Sequence, residues 1–135
     1  MSYSDAFKEL VEVMDTLREK CPWDKKQTIH TLSNLTVEEV YELVEGISLK
    51  DWTNIKEELG DLMLHLLFYT KIATEGKQFT LEEMILAQIE KLKRRHPHIY
   101  GDLKLDDEAA VKQNWEKIKL TEGKKSVLGG VPNSL

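Results

Sequence analysis

Apolar residues recur along this chain at intervals of three and four, the period of a helix that buries one stripe. From Ser4 to about Lys20 the stripe is Phe7, Leu10, Val11, Met14 and Leu17. Pro22, within the tetrapeptide from Cys21 to Asp24, marks a stop or turn. Thr36 and Glu39 have capping-box spacing, which predicts the start of a second helix near Thr36. Its apolar set is Val37, Val40, Tyr41, Val44 and Ile47, and Gly46 with Ser48 suggests its end. A third helix is predicted from about Lys50 to Thr74, stopping at Glu75 and Gly76. Thr80 and Glu83 repeat the capping spacing and open a fourth helix, which ends at Arg95 ahead of Pro97. The segment from His96 to Asp102 reads as a loop, and Asp106 or Asp107 can cap a fifth helix through about Leu120. No segment sustains an alternation of period two, and no internal repeat is visible. Short links between long amphipathic helices predict an all-α, antiparallel helical bundle over residues 1–120. The glycine-rich, polar residues 121–135 read as an extended or mobile tail.

The polar positions are less regular. Val37 to Glu45 holds Glu38, Glu39, Glu42 and Glu45, and from Gln27 to Leu49 there is no lysine or arginine. On a wheel of about 100° per residue these four glutamates oppose the apolar set of the second helix. From that helix alone, a solvated acidic face and a ligand set are equally good readings. Repulsion between such pairs costs only roughly 0.2–0.5 kcal/mol each.

The third helix shifts the balance. Leu59, Leu62, Met63 and Leu66 make one apolar face, with Leu64 and Phe68 nearly opposite. A helix apolar on most sides is expected to be buried on most sides. Glu58, Asp61 and His65 form a narrow stripe within that coat, and the local cations are Lys56 and Lys71 only. Buried carboxylates must be paired, protonated or metal-bound. Glu39 with Glu42, and Glu58 with Asp61, are each three residues apart and project from one side of a helix. Two such pairs on facing helices would surround a hard cation with oxygen, which selects magnesium, or manganese as a substitute, over zinc.

Composition narrows the class. Hydrophobic residues make up 41% and charged residues 32% of the 135, which suits a folded, helix-rich chain. The net charge of −5 argues against gripping a nucleic acid polymer, though not against small phosphates bridged by a cation. No apolar run approaches the roughly 20 residues of a membrane span. The start, MSYSDAFKEL, lacks the basic end and apolar core of a signal peptide. One cysteine, Cys21, fits a reducing compartment, and the chain is expected in the cytoplasm.

Taken together, Glu38-Glu39-Val40-Tyr41-Glu42 and Glu58-Leu59-Gly60-Asp61 resemble the signature of the MazG nucleoside triphosphate pyrophosphohydrolases. The acidic motif alone is shared with all-α dimeric dUTPases. CPWDKKQT, KLKRRHPHIYGD, NWEKIK and SVLGGVP extend the likeness over nearly the whole chain, and point to the first domain of tandem members. The resemblance implies an all-α subunit paired as a homodimer or higher homo-oligomer. It implies magnesium-dependent cleavage of a nucleoside triphosphate to monophosphate and pyrophosphate, for cleaning the nucleotide pool. By motif position Glu39, Glu42, Glu58 and Asp61 hold the metal, with Glu38 close by. Lys91, Arg94 and Arg95 match a basic motif that contacts phosphates. Trp115 and Lys119 match a Trp-x-x-x-Lys element near the nucleotide.

Each assignment has a plainer competitor. Lys91 to Arg95 also suits the dipole of a helix C-terminus, and Trp115 suits core or dimer packing. His65 reads as a satisfied interior histidine or as a support for Asp61. His96 and His98 read as loop-shaping, Cys21 as packing, and Trp23 with Asp24 as a structural turn. The chain stops at Asn133-Ser134-Leu135, where relatives continue, so it reads as a fragment or a short form. The competing function is a non-catalytic module that dimerises and binds nucleotide or metal for a second domain.

Overall fold

The computed structural model describes residues 1–123. The closing SVLGGVP motif and most of the predicted tail therefore lie outside the described residues. Seven helices occur in this span and no strand: α1 (Tyr3–Lys20), α2 (Pro22–Lys26), α3 (Ile29–Ser48), α4 (Trp52–Glu75), α5 (Leu81–Arg94), α6 (Pro97–Tyr100) and α7 (Glu108–Glu122). The all-α expectation holds. The chain divides into two compact units, the first Met1–Glu83 and the second beginning at Met84.

In the first unit α3 and α4 form the main helix pair, and α1 packs on α4 and α2. Met14, Leu32, Leu67 and Phe68 are the buried centre, with Phe7, Leu10, Val11, Leu17, Leu35, Leu64, Tyr69, Ile72 and Leu81 packed around it. The α1 stripe is the one its periodicity predicts. Arg18 closes α1 in a way the sequence did not suggest. Its Nη1 donates to the carbonyls of Asp24 (2.7 Å), Lys25 (3.2 Å) and Gln27 (2.9 Å), and its Nη2 pairs with Glu75 at 2.9 Å. One guanidinium thus fastens the α2 turn and the end of α4 to α1. Pro22 opens α2 rather than simply stopping a helix, since its missing N–H costs nothing at a first helical position.

Helix α3 begins about two turns before the predicted start. Thr28 caps it, and the Thr28 and Thr31 side chains bond each other's backbone N–H reciprocally. The hydroxyl of Thr36, read as a cap, is instead used sideways inside the helix. Asp51 caps α4, Thr80 accepts from the backbone N–H of Glu83 at the start of α5, and Asp107 caps α7. Pro97 opens the one-turn α6 where a loop was expected.

The largest departure concerns which face is inside. Within this chain Val37, Val40, Tyr41, Val44 and Ile47 of α3 are exposed, as are Leu59, Met63 and Leu66 of α4. The expectation that α4 is buried on most sides fails for that stripe. Helix α3 instead turns Leu32, Thr36, Glu39 and Gly46 toward α4. Hydrophobicity marks which face is apolar, not what it packs against.

Candidate functional site

The register of α3 against α4 builds the site. Gly46 lies so close to α4 that a Cβ there would stand 2.9 Å from Asn54 Nδ2 and 3.4 Å from Ile55 Cγ1. Ten residues earlier, Thr36 Oγ1 lies 2.9 Å from His65 Nδ1 and 2.5 Å from the Tyr69 hydroxyl. The helices are therefore antiparallel and close at both contacts. Between these contacts the acidic residues meet.

Glu39, Glu58 and Asp61 each bring a carboxylate oxygen within 4.8 Å of the others. Glu58 is buried at 6% exposure, Glu39 is half-buried, and Asp61 is open to solvent. Glu42 is exposed but adjoins Glu58, whose carboxyl holds that of Glu42 above the usual carboxylate range, first by sharing a proton and then by its charge. Glu58 is itself raised, first by proton sharing with Glu39 and then by burial. Glu38 contributes charge at Glu42 and is solvent-exposed. Two acids can share a proton only while one of them keeps it. With all ionised, the Oε2 atoms of Glu39 and Glu58 are buried and accept no hydrogen bond. Lys71, a candidate local cation, is engaged by Asp15 at 3.2 Å. No lysine or arginine among the described residues bridges to Glu39, Glu42, Glu58 or Asp61. Oxygen-only donors, two of them orphaned in the interior, fit a hard divalent cation and not a soft one.

A family model described as the MazG nucleotide pyrophosphohydrolase domain matches residues 27–100, more than half of the chain. The chain belongs to the MazG family. It is 48% identical over 122 residues to a nucleoside triphosphate pyrophosphohydrolase/pyrophosphatase MazG of Thermotoga maritima, covering 88% of this chain and 46% of that protein. It is 37% identical over 133 residues to the nucleoside triphosphate pyrophosphohydrolase of Escherichia coli K12, covering 93% and 51%. A Bacillus subtilis protein named YabN is 43% identical over 118 residues, covering 85% and 24%. The chain thus spans about half the length of two of these relatives and about a quarter of the third. The crystal structure of a MazG-related protein from Thermotoga maritima superposes with a TM-score of 0.73 at 30% identity, covering 84% of this chain and 98% of that one.

The MazG match contains the whole acidic cluster, while Trp115 and Lys119 lie beyond it. Both of these, with Lys91, Arg94 and Arg95, belong to the second unit. There Arg94 Nε and Arg95 Nη2 each contact Glu122 at 2.6 Å, and Arg94 also holds Glu90. Arg94 first, and Arg95 with it, keep the Glu122 carboxyl below its usual range. Lys91 and Lys119 are half-buried. Trp115 packs edge-on against His96, ring centroids 5.4 Å apart, and its buried Nε1–H has no acceptor. His65 is satisfied at Nδ1 by Thr36. Sequence reasoning gave Thr36 and Gly46 only helix-end roles, and gave Tyr69 no role in the site. The signal that could have found them is their position on the stripe that runs through Glu39 and Glu58.

Proposed function

We propose that this chain is a magnesium-dependent pyrophosphohydrolase, converting a (deoxy)nucleoside triphosphate into the monophosphate and pyrophosphate. The observation that carries the reading is the convergence of Glu39, Glu58 and Asp61 with two buried oxygens left without partners. Glu39, Glu42, Glu58 and Asp61 would hold the cation, with manganese as a workable substitute. When bound, the ion supplies positive charge for phosphate oxygens and makes a nearby water more acidic. Glu38, left out of the cluster's interior, orients the attacking water and accepts its proton. In-line attack breaks the anhydride between the α- and β-phosphates. Lys91, Arg94 and Arg95 offset the charge of the leaving pyrophosphate. Trp115 and Lys119 contact the nucleotide. The printed names of the Escherichia coli and Thermotoga maritima relatives support this class of reaction.

The exposed apolar stripe of α3 and α4 supports a homodimer in which a second copy covers it. A cytoplasmic location agrees with the single thiol, and a house-cleaning role on nucleotide pools is what the family likeness implies. No described helix is long and apolar enough to cross a membrane.

The deciding experiment measures pyrophosphate release from each of the eight common triphosphates with magnesium, for the wild type and Glu42→Ala. Release that falls at least about a hundredfold in the variant is expected, the scale of losing a charge-stabilising group. Silence on all eight substrates leaves the non-catalytic module as the better reading.

A further inference from the structure

We propose that Thr36 is a positioning residue for the acidic cluster. Its hydroxyl draws His65 and Tyr69 of α4 onto α3 and so sets the helix separation at which Glu39 meets Glu58 and Asp61. The inference rests on the cation reading given above.

Hydrogen-bond valence at Thr36 decides which groups donate. Thr36 Oγ1 has three partners: the Leu32 carbonyl at 3.1 Å, His65 Nδ1 at 2.9 Å and the Tyr69 hydroxyl at 2.5 Å. A hydroxyl has one proton and two lone pairs, and a carbonyl can only accept. The Thr36 proton therefore goes to Leu32, and both α4 groups donate to Thr36. This assigns the proton of a neutral His65 ring to Nδ1. One oxygen on α3 is thus the common acceptor for two donors on α4, with its valence fully used.

The position gives this contact leverage. Thr36 precedes Glu39 by three residues, about 4.5 Å along the helix axis. His65 follows Asp61 by four, one turn along α4. On the other side of the cluster, the missing side chain of Gly46 lets the same two helices lie close together at Asn54. The cluster lies between these two contacts. Its ionised carboxylates repel one another, so without a cation they push α3 and α4 apart. Magnesium accepts oxygen ligands only within a narrow range near 2.0–2.1 Å. A helix pair free to spread would have to be drawn together at the expense of binding energy. The Thr36 contact holds that separation in advance.

The test compares wild type, Thr36→Val, Thr36→Ser and Tyr69→Phe in the full chain, titrated with manganese by calorimetry well below each melting temperature. Thr36→Val has nearly the same shape but no hydroxyl. It is expected to bind manganese at least about tenfold more weakly, as for other groups that orient ligands. Thr36→Ser, which keeps the hydroxyl, is expected to recover affinity to within about threefold of wild type, and Tyr69→Phe to fall between. A nitrogen NMR spectrum of the metal-free wild type should show the proton of neutral His65 on Nδ1, and that preference should be lost in Thr36→Val. Equal affinity in wild type and Thr36→Val overturns the proposal, as does an equal loss in the Val and Ser variants or a wild-type His65 protonated on Nε2. A wild type that takes up no manganese overturns the cation reading itself, and this inference with it.

Discussion

Glu58 carries the highest electrostatic cost in the site. It is buried among like charges, and one of its oxygens has no donor. A stability-driven sequence would place an apolar residue there, because a carboxylate crowded by like charges is unfavourable. Glu58→Gln keeps the shape and removes the charge. In the metal-free protein it is expected to raise the melting temperature, since one source of repulsion is gone. With magnesium the order reverses. The wild type gains about 2.7 kcal/mol at a hundred times its dissociation constant, and the variant gains little. Thermal melts with and without chelator check both halves. A variant that is less stable in chelator and equally stabilised by magnesium would show that Glu58 has an ordinary structural partner.

At the scale of elements, the fold depends on a few ties between helices as much as on its small core. The Arg18 to Glu75 pair joins α1 to the end of α4. Arg18, first through hydrogen bonding, holds the Glu75 carboxyl below its usual range. A depressed carboxylate stabilises the fold above its unfolded pKa, and that contribution disappears as pH falls through the folded value. Glu75→Gln is therefore expected to cost about 1 kcal/mol at pH 7, the upper range for a partly exposed pair. The difference from wild type should close as the pH drops below about 4, the usual carboxylate value. Urea midpoints across pH 3 to 7 measure it. A gap that persists unchanged at the acid end would mean that Glu75 acts through packing and not through charge.

At the scale of the molecule, the exposed stripe of Val37, Val40, Tyr41, Val44, Leu59, Met63 and Leu66 is the feature that one chain leaves unfinished. A second copy covering this stripe would exclude water beside the α3 and α4 pair that carries the acidic cluster. Val44→Asp places a charge in the middle of that stripe. Sedimentation is expected to move from dimer to monomer, with pyrophosphohydrolase activity falling in parallel. A wild type that sediments as a monomer would remove the homodimer from the proposed function.

The sequence alone marked the long helices and suggested the chemistry. Periodicity marked the α1 stripe correctly because its residues meet partners in the same chain. Asp107, one of the two aspartates that the sequence offered there, caps α7. The spacing Glu39, Glu42, Glu58 and Asp61 suggested a cation because the shortage of positive charge is itself visible in the sequence. Three things were decided only by tertiary structure. The start of α3 was set by a reciprocal Thr28 and Thr31 cap that competed with the equally plausible spacing at Thr36. Which side of α3 faces α4 was decided by the register of the pair, since the apolar side was free to wait for another surface. The use of Thr36 depended on His65 and Tyr69, some thirty residues away, arriving opposite it. Local sequence encodes helical period and capping directly, whereas contacts between helices exist only once two segments have chosen a common register.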